Sequence, residues 1–251
     1  QLYVGNCGTC FVYGTDSVNI YTPPFTASSS PTSTIVSGVV QPQAMVLDTN
    51  NPPNLYVANC VSCKTYAATD TVVQYANSGL GAAATLPANS LSDPVALAVD
   101  GDEDVFVANY NGNKGGGSVG VYFAPAFSGG ANIVTAADTT TLVSPVALWP
   151  DGATTGSCTG LIKVPCVMMI ADAGNSKVFS CGPSFTTQCG SGQTIGSGVN
   201  TPTAVAEDGS NNLYVANNGN NTLRSFAAPA FTTGTTISTK NNTPFGLAVL
   251  P

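Results

Sequence analysis

Leu213-Tyr-Val-Ala-Asn217 decides the fold, because near-copies of it recur as Leu2-Tyr-Val-Gly-Asn6, Leu55-Tyr-Val-Ala-Asn59, Val105-Phe-Val-Ala-Asn109 and Val167-Met-Met-Ile-Ala-Asp172. A second segment lies ahead of four of them: Pro42-Gln-Ala-Met-Val-Leu-Asp48, Pro94-Val-Ala-Leu-Ala-Val-Asp100, Pro145-Val-Ala-Leu-Trp-Pro-Asp151 and Pro202-Thr-Ala-Val-Ala-Glu-Asp208. A further copy, Pro244-Phe-Gly-Leu-Ala-Val-Leu250, comes at the end of the sequence. Repetition at a period near 50 residues is the signature of a repeat architecture, in which each unit buries its apolar faces against its neighbours. The 251 residues therefore read as one domain, 1–251, of five repeats: 1–38 plus 243–251, 39–91, 92–142, 143–198 and 199–242.

Each repeat reads as four short strands. The first, Pro-x-Ala-Leu-Ala-Val-Asp, is a run of small apolar residues that suits a strand buried on both faces. The second is Leu-Tyr-Val-Ala-Asn. The third ends in an aromatic: Val18-Asn-Ile-Tyr21, Val72-Val-Gln-Tyr75, Val119-Gly-Val-Tyr122, Lys177-Val-Phe179 and Leu223-Arg-Ser-Phe226. Turns such as Ala124-Pro-Ala-Phe127 and Ala228-Pro-Ala-Phe231 lead to a weak, Thr/Ser-rich fourth strand, as expected of a solvent-exposed edge. The second repeat has Ser78-Gly-Leu-Gly in place of that turn, and the fourth carries an insertion from Gly152 to Pro165. Such units pack face to face around an axis, which predicts an all-β, five-bladed β-propeller of four-stranded antiparallel blades. Pairing of 244–250 with 2–6 would complete the first blade from both termini and remove two open edges. Trp149 is expected to reach toward the axis or wedge between blades.

The paired segments, with a later Asn-x-Val/Leu, resemble the NHL and YVTN-type propeller repeats, including those of bacterial and archaeal surface proteins. The resemblance spans the chain. It implies a propeller fold and, for function, binding modules, surface-layer parts or, less often, lactone hydrolases.

Composition narrows the function classes. Only 8% of residues are charged, the net charge is −7, and the six Lys and Arg residues are scattered. A phosphate-tracking surface needs clustered Lys and Arg, so nucleic acid is not an expected partner. No apolar run approaches the ~18 residues of a membrane-spanning helix. The eight cysteines fall into short-range pairs, Cys7/Cys10, Cys60/Cys63, Cys158/Cys166 and Cys181/Cys189, which read as disulfides made in an oxidising compartment. An extracellular or cell-surface location follows, with any signal peptide presumed removed. The two C-x-x-C units also admit a four-thiolate zinc site, although equivalent turns of adjacent blades stand a sheet spacing of ~10 Å apart, too far for ligands ~2.3 Å from one metal.

The residues that carry chemistry are few. There is no His, so Ser-His and Cys-His nucleophile pairs are excluded. The polar residue ending each second strand (Asn6, Asn59, Asn109, Asp172, Asn217) has two readings: a side chain that bonds the backbone of the turn to the third strand, or part of a ligand-binding rim. Tyr13, Tyr66 and Tyr110 lie close in sequence to that rim and suit sugar stacking or a protein contact. Asp100-Gly-Asp-Glu-Asp104 concentrates carboxylates, with Asp100, Asp102 and Asp104 as a candidate Ca²⁺ set against a plain solvated turn. No cofactor is expected. The function expected is non-catalytic, structural or interactive, with other copies of the chain or other surface proteins as partners. Glycan binding as a lectin is the alternative, and a metal-dependent lactonase-type hydrolase is the less favoured rival.

Overall fold

A computed structural model describes residues 1–7, 16–60, 70–79, 83–87, 91–110, 116–124, 127, 132–134, 136–137, 140–150, 168–181, 188–189, 194–238 and 242–249. Five antiparallel sheets follow the five repeats. The first holds β1 (Leu2–Asn6), β2 (Ser17–Tyr21) and β3 (Ser33–Ile35). The second holds β4 (Pro42–Leu47), β5 (Leu55–Asn59), β6 (Thr71–Tyr75) and, after a helical turn at Ala76–Gly79, β7 (Ala83–Thr85). The third holds β8 (Pro94–Val99), β9 (Val105–Asn109), β10 (Ser118–Tyr122) and β11 (Asn132–Val134). A small separate sheet joins β12 (Ala136–Ala137) and β13 (Thr140–Thr141) to a later β17. The fourth repeat supplies β14 (Pro145–Pro150), β15 (Met168–Asp172), β16 (Lys177–Cys181), that β17 (Gln188–Cys189), and β18 (Thr194–Ile195). The fifth supplies β19 (Pro202–Glu207), β20 (Leu213–Asn217), β21 (Thr222–Phe226) and β22 (Gly234–Ser238). The inner strands pack in sequence order, β4 on β8, β8 on β14 and β14 on β19.

The core lies between sheets, because successive side chains of a strand point to opposite faces. In β5, Leu55 and Val57 join Val18 and Ile20 of the first sheet, while Tyr56 and Ala58 join Val105 and Val107 of the third. Phe106 then packs with Met168 and Ile170, and Met169 with Leu213 and Val215. Trp149 rests on that last cluster, between the fourth and fifth sheets. The second strands β5, β9 and β15 are buried along their whole length. The first strands, expected to be buried on both faces, are only partly so; every residue of β4 is intermediate or exposed. In the second, third and fourth sheets the most buried position belongs to the second strand, which has a strand on each side and a neighbouring sheet on each face.

Proline opens four inner strands, and each has the same register shift just after it, at Pro42/Ala44, Pro94/Ala96, Pro145/Ala147 and Pro202/Ala204. A residue that cannot donate to the ladder fits at a strand start or bulge. Just before it, Gln41, Asp93 and Thr201 have positive φ (48°, 51° and 43°), a conformation that is costly for residues other than glycine. Each is latched to the preceding sheet: the Gln41 N–H donates to Asp16 Oδ2 (2.8 Å), that of Asp93 to Asp70 Oδ2 (2.7 Å) and that of Thr201 to Ser176 Oγ (3.2 Å). The seam between the third and fourth sheets is built otherwise, with Gly117 so close to Pro145 that a Cβ would meet its Cδ at 2.1 Å.

Among the described residues, the expected pairing of 244–250 with 2–6 is not formed. Residues 244–249 carry no ladder bonds, and β1 pairs only with β2. The segment instead begins like another inner strand beside the fifth sheet. Thr243 (φ 46°) donates its N–H to Asn221 Oδ1 (2.9 Å), and the Thr203 hydroxyl donates to the Pro244 carbonyl (2.7 Å). This latch holds 243–244 at the fifth sheet without bringing the following residues to β1, and Phe245 is left 80% exposed.

Candidate functional site

One end of the sheets carries the residues that close the second strands. Asn59, Asn109, Asp172 and Asn217 are fully buried. Asn59 Oδ1 accepts the Val40 N–H (3.0 Å), and its amide donates to the Gly38 carbonyl (2.8 Å) and Thr71 Oγ1 (2.9 Å). Asn109 accepts from the Ser92 N–H and donates to Ser118 Oγ; Asn217 accepts from the Asn200 N–H and donates to Thr222 Oγ1. Asp172 accepts the Val143 and Ser144 N–H groups with its two oxygens. Each ties the approach to the first strand to the second, and the three Asn side chains also reach the start of the third. Asn6 donates to Val4 and Ser17. Tyr110 is partly buried beside Asn109, with its N–H on the Asp93 carbonyl (3.0 Å). Tyr13 and Tyr66 lie outside the described residues.

No described cysteine is free, and Cys7, Cys60 and Cys181 are disulfide-bonded. Cys10, Cys63, Cys158 and Cys166 lie outside the described residues, as does the Cys189 side chain. Cys60 meets Asp70 and Asp93 in a buried group with ligand atoms within 4.8 Å of one another. A disulfide sulfur is not a thiolate ligand, and Asp70 already accepts the Asp93 N–H.

The opposite end carries the turns between first and second strands, and here the repeats diverge. Asp208 Oδ1 accepts the N–H groups of Ser210 and Asn212 (both 2.9 Å), while Oδ2 accepts from Asn212 Nδ2 (3.0 Å) and the Tyr214 hydroxyl (2.9 Å). Asp48 repeats the scheme with Asn50, Asn54 and Tyr56. Asp100 keeps the backbone half, its Oδ1 accepting from Asp102 (2.9 Å) and Asp104 (3.0 Å). The Asn and Tyr of the other two turns are replaced by Asp104 and Phe106, so both side-chain donors are lost. Asp100 Oδ2, Asp104 Oδ2 and Glu103 Oε2 are buried without a partner. Asp104 Oδ1 accepts the Ala124 N–H (2.8 Å), and Glu103 Oε1 accepts from Thr49 of the second sheet's turn.

The charge states follow from these contacts. Burial, with the Asp104 and Asp102 charges adding to it, pushes Asp100 up to about 7 from the usual 3.8. Burial and Asp102 push Asp104 to about 6. Hydrogen bonds from Asn212, then Tyr214 and Ser210, lower Asp208 to about 2. Beside the Asp100 turn, a pocket of about 390 Å³ opens between the second and third sheets, lined by Asn50, Asn54, Tyr56, Gln74, Glu103 and Phe127 among others. The Tyr56 and Phe127 rings meet edge to face there, centroids 6.1 Å apart. The Asp48–Asn54–Tyr56 pattern beside Asp208–Asn212–Tyr214 was visible in the sequence and is the signal that marks Asp104 and Phe106 as exceptions.

Comparison with solved structures places the chain among β-propellers. A chain from the crystal structure of a nidogen/laminin complex is similar over 92% of this chain and 75% of that one, at 16% identity and a TM-score of 0.64. A streptogramin B lyase matches over 92% of this chain and 65% of its own, at 13% identity and TM-score 0.60. Virginiamycin B lyase from Staphylococcus aureus matches over 78% of this chain and 55% of its own, at 10% identity and TM-score 0.54. The chain thus spans less than two thirds of either lyase chain. No protein-family model matches the chain, and no curated protein matches it either. At these identities the likeness establishes the fold: an all-β propeller built of antiparallel sheets.

Proposed function

We propose that the chain is a non-catalytic, five-bladed propeller of the NHL/YVTN type that serves as a structural or interaction module of an extracellular surface or matrix, joining copies of itself or other surface proteins. The four cysteine pairs named above are part of this reading, as local staples suited to an oxidising compartment. The observation that carries it is β22. This outer strand, Gly-Thr-Thr-Ile-Ser, has neither charge nor proline, pairs only with β21 and leaves Ile237 50% exposed. Natural sheets commonly blunt an outer edge with Lys or Pro; an unblunted one is a template for strand addition. A neutral, weakly charged surface adds little repulsion against such contacts.

Sedimentation velocity over a wide concentration range, with electron microscopy of the concentrated protein, tests the reading. Self-association that Ile237→Lys weakens, with the circular dichroism spectrum unchanged, is the expected result. A monomer at every concentration that also hydrolyses a lactone or ester in a chelator-sensitive way overturns it in favour of the hydrolase. Selective binding on a glycan array, unchanged in Ile237→Lys, overturns it in favour of the lectin.

A further inference from the structure

The unpartnered oxygens of the Asp100 turn call for a positive charge. We propose that this turn binds one divalent hard cation of the Ca²⁺ class, with Asp100 Oδ2 and Asp104 Oδ2 as its charged protein ligands and with main-chain oxygens and water completing the shell. Three observations support this. Asp100 and Asp104 are 4% and 0% exposed, yet each keeps one oxygen that meets no donor. An ionised oxygen out of water and without a partner is among the costliest arrangements in a protein. The equivalent oxygens of Asp48 and Asp208 reach the Asn at the position of Asp104 and the Tyr at that of Phe106. An Asp100 anchored by the same two backbone bonds is therefore turned toward Asp104, where a cation can replace the two missing donors.

The third observation separates a cation from a shared proton. One proton between Asp100 and Asp104 would satisfy two oxygens, but Glu103 Oε2 is buried and unpartnered as well, and the Asp102 charge acts on both Asp100 and Asp104. A single proton leaves that acidic run strongly negative, whereas a divalent cation offsets it further. The neighbouring pocket, lined by Asp102, Glu103 and Ala124 among others, brings solvent to the edge of this turn. The only described group of three side-chain ligands within 4.8 Å of one another is that of Cys60, so two carboxylates, rather than a full cage, serve the ion at the Asp100 turn. Ca²⁺ takes about 6–8 oxygens, and a site with few charged protein ligands belongs with the weaker extracellular ones, Kd on the order of 10⁻⁴–10⁻³ M.

Isothermal titration of the intact, chelator-treated chain with CaCl₂ near neutral pH tests this directly, with a thermal melt as the second readout. One Ca²⁺ bound per chain and a melting temperature raised by a few degrees at saturating, millimolar Ca²⁺ are expected. Asp104→Asn with Phe106→Tyr, which writes the Asp208 donors into this turn, should melt no lower than the parent in chelator and lose the response to Ca²⁺. Glu103→Gln should keep the stoichiometry with weaker binding, and it serves as the folded control if the double variant fails to fold. No heat and no shift in the parent overturn the proposal. So does an undiminished response in the folded double variant, or a parent that mild acid stabilises while Ca²⁺ does nothing.

Discussion

The turns at Asp208 and Asp100 share one backbone plan and differ in what surrounds the free oxygen. Both aspartates accept two N–H groups through Oδ1. At Asp208 the second oxygen meets an amide and a phenol, and the carboxyl titrates near 2. At Asp100 it meets neither, and the carboxyl titrates near 7. Two substitutions, Asn to Asp and Tyr to Phe, separate a self-sufficient turn from one that depends on a proton or an ion. The scaffold tolerates the second kind because its fixed contacts lie at the other end of the sheets.

That last statement can be broken first, and by the largest effect. Asn109→Ala and Asn217→Ala each remove a fully buried amide, leave the Ser92 or Asn200 N–H without its acceptor, and should each cost about 2–4 kcal/mol in chemical denaturation. Similar losses show that the third and fifth sheets are equally well clasped, so that the turns alone differ. A much smaller cost at Asn109 would trace the weakness of the Asp100 turn to its whole sheet.

The next effect reverses the comparison. Asn212→Asp with Tyr214→Phe writes the Asp100 environment around Asp208 and should lower the melting temperature by several degrees, at about 2–4 °C per kcal/mol for a chain of this size. Because Asp208 is far better hydrated than Asp100, its carboxyl should stay well below neutrality, which a carbon-13 NMR titration of the side chain reads. A carboxyl near 7 in this variant would show that the Asn and Tyr donors alone, without burial, set the difference.

A third test uses pH, in chelator. Asp100 and Asp104 hold their protons more tightly folded than unfolded, so their contribution is fully present below about pH 4 and is lost as pH rises to about 7. Asp102 adds to the charge they face. Asp208 has the opposite sign: its contribution is present above about pH 4 and lost as pH falls toward 2. Melting temperature against pH should therefore peak near the lower end of the carboxylate range. Asp104→Asn with Phe106→Tyr should flatten the alkaline limb and leave the acid limb alone.

The smallest effect concerns the bond between sheets at this end. Thr49→Val removes the hydroxyl that Glu103 accepts from and should cost about 1 kcal/mol or less by denaturation. A larger loss would mean that Thr49 holds the Asp100 turn in place.

The repeat period and the strand order were legible because each depends on residues close in sequence and is written several times, whereas Asn59, Asn109 and Asn217, expected to bond the turn to the third strand, accept from backbone ahead of the first strand that is 17 to 19 residues away. The relative burial of first and second strands was not legible either. A run such as Pro94-Val-Ala-Leu-Ala-Val99 shows that a strand is apolar, not how many sheets cover it. Closure was misread for a related reason. The Thr243-Pro244 pair announces an inner strand, and it is latched like one, but whether 245–249 then pairs with β1 depends on contacts at the far ends of the chain. At the candidate site, the acid run 100–104 was conspicuous as composition. Its meaning came from Phe106, an unremarkable core residue until its counterparts in the equivalent turns are seen to be hydroxyl donors.

The latch at Gln41, Asp93, Thr201 and Thr243 also bears on how such an array can be recombined. A strained lead-in residue and its acceptor lie in different repeats, so a cut at the boundary suggested by the sequence, ahead of residue 39, 92, 199 or 243, separates donor from acceptor. A cut between the second and third strands, ahead of Asp16, Asp70, Ser176 or Asn221, keeps every such pair on one fragment. The natural cassette for shuffling or grafting therefore begins at a third strand and ends with the second strand of the next sheet, out of phase with the repeat as the sequence displays it.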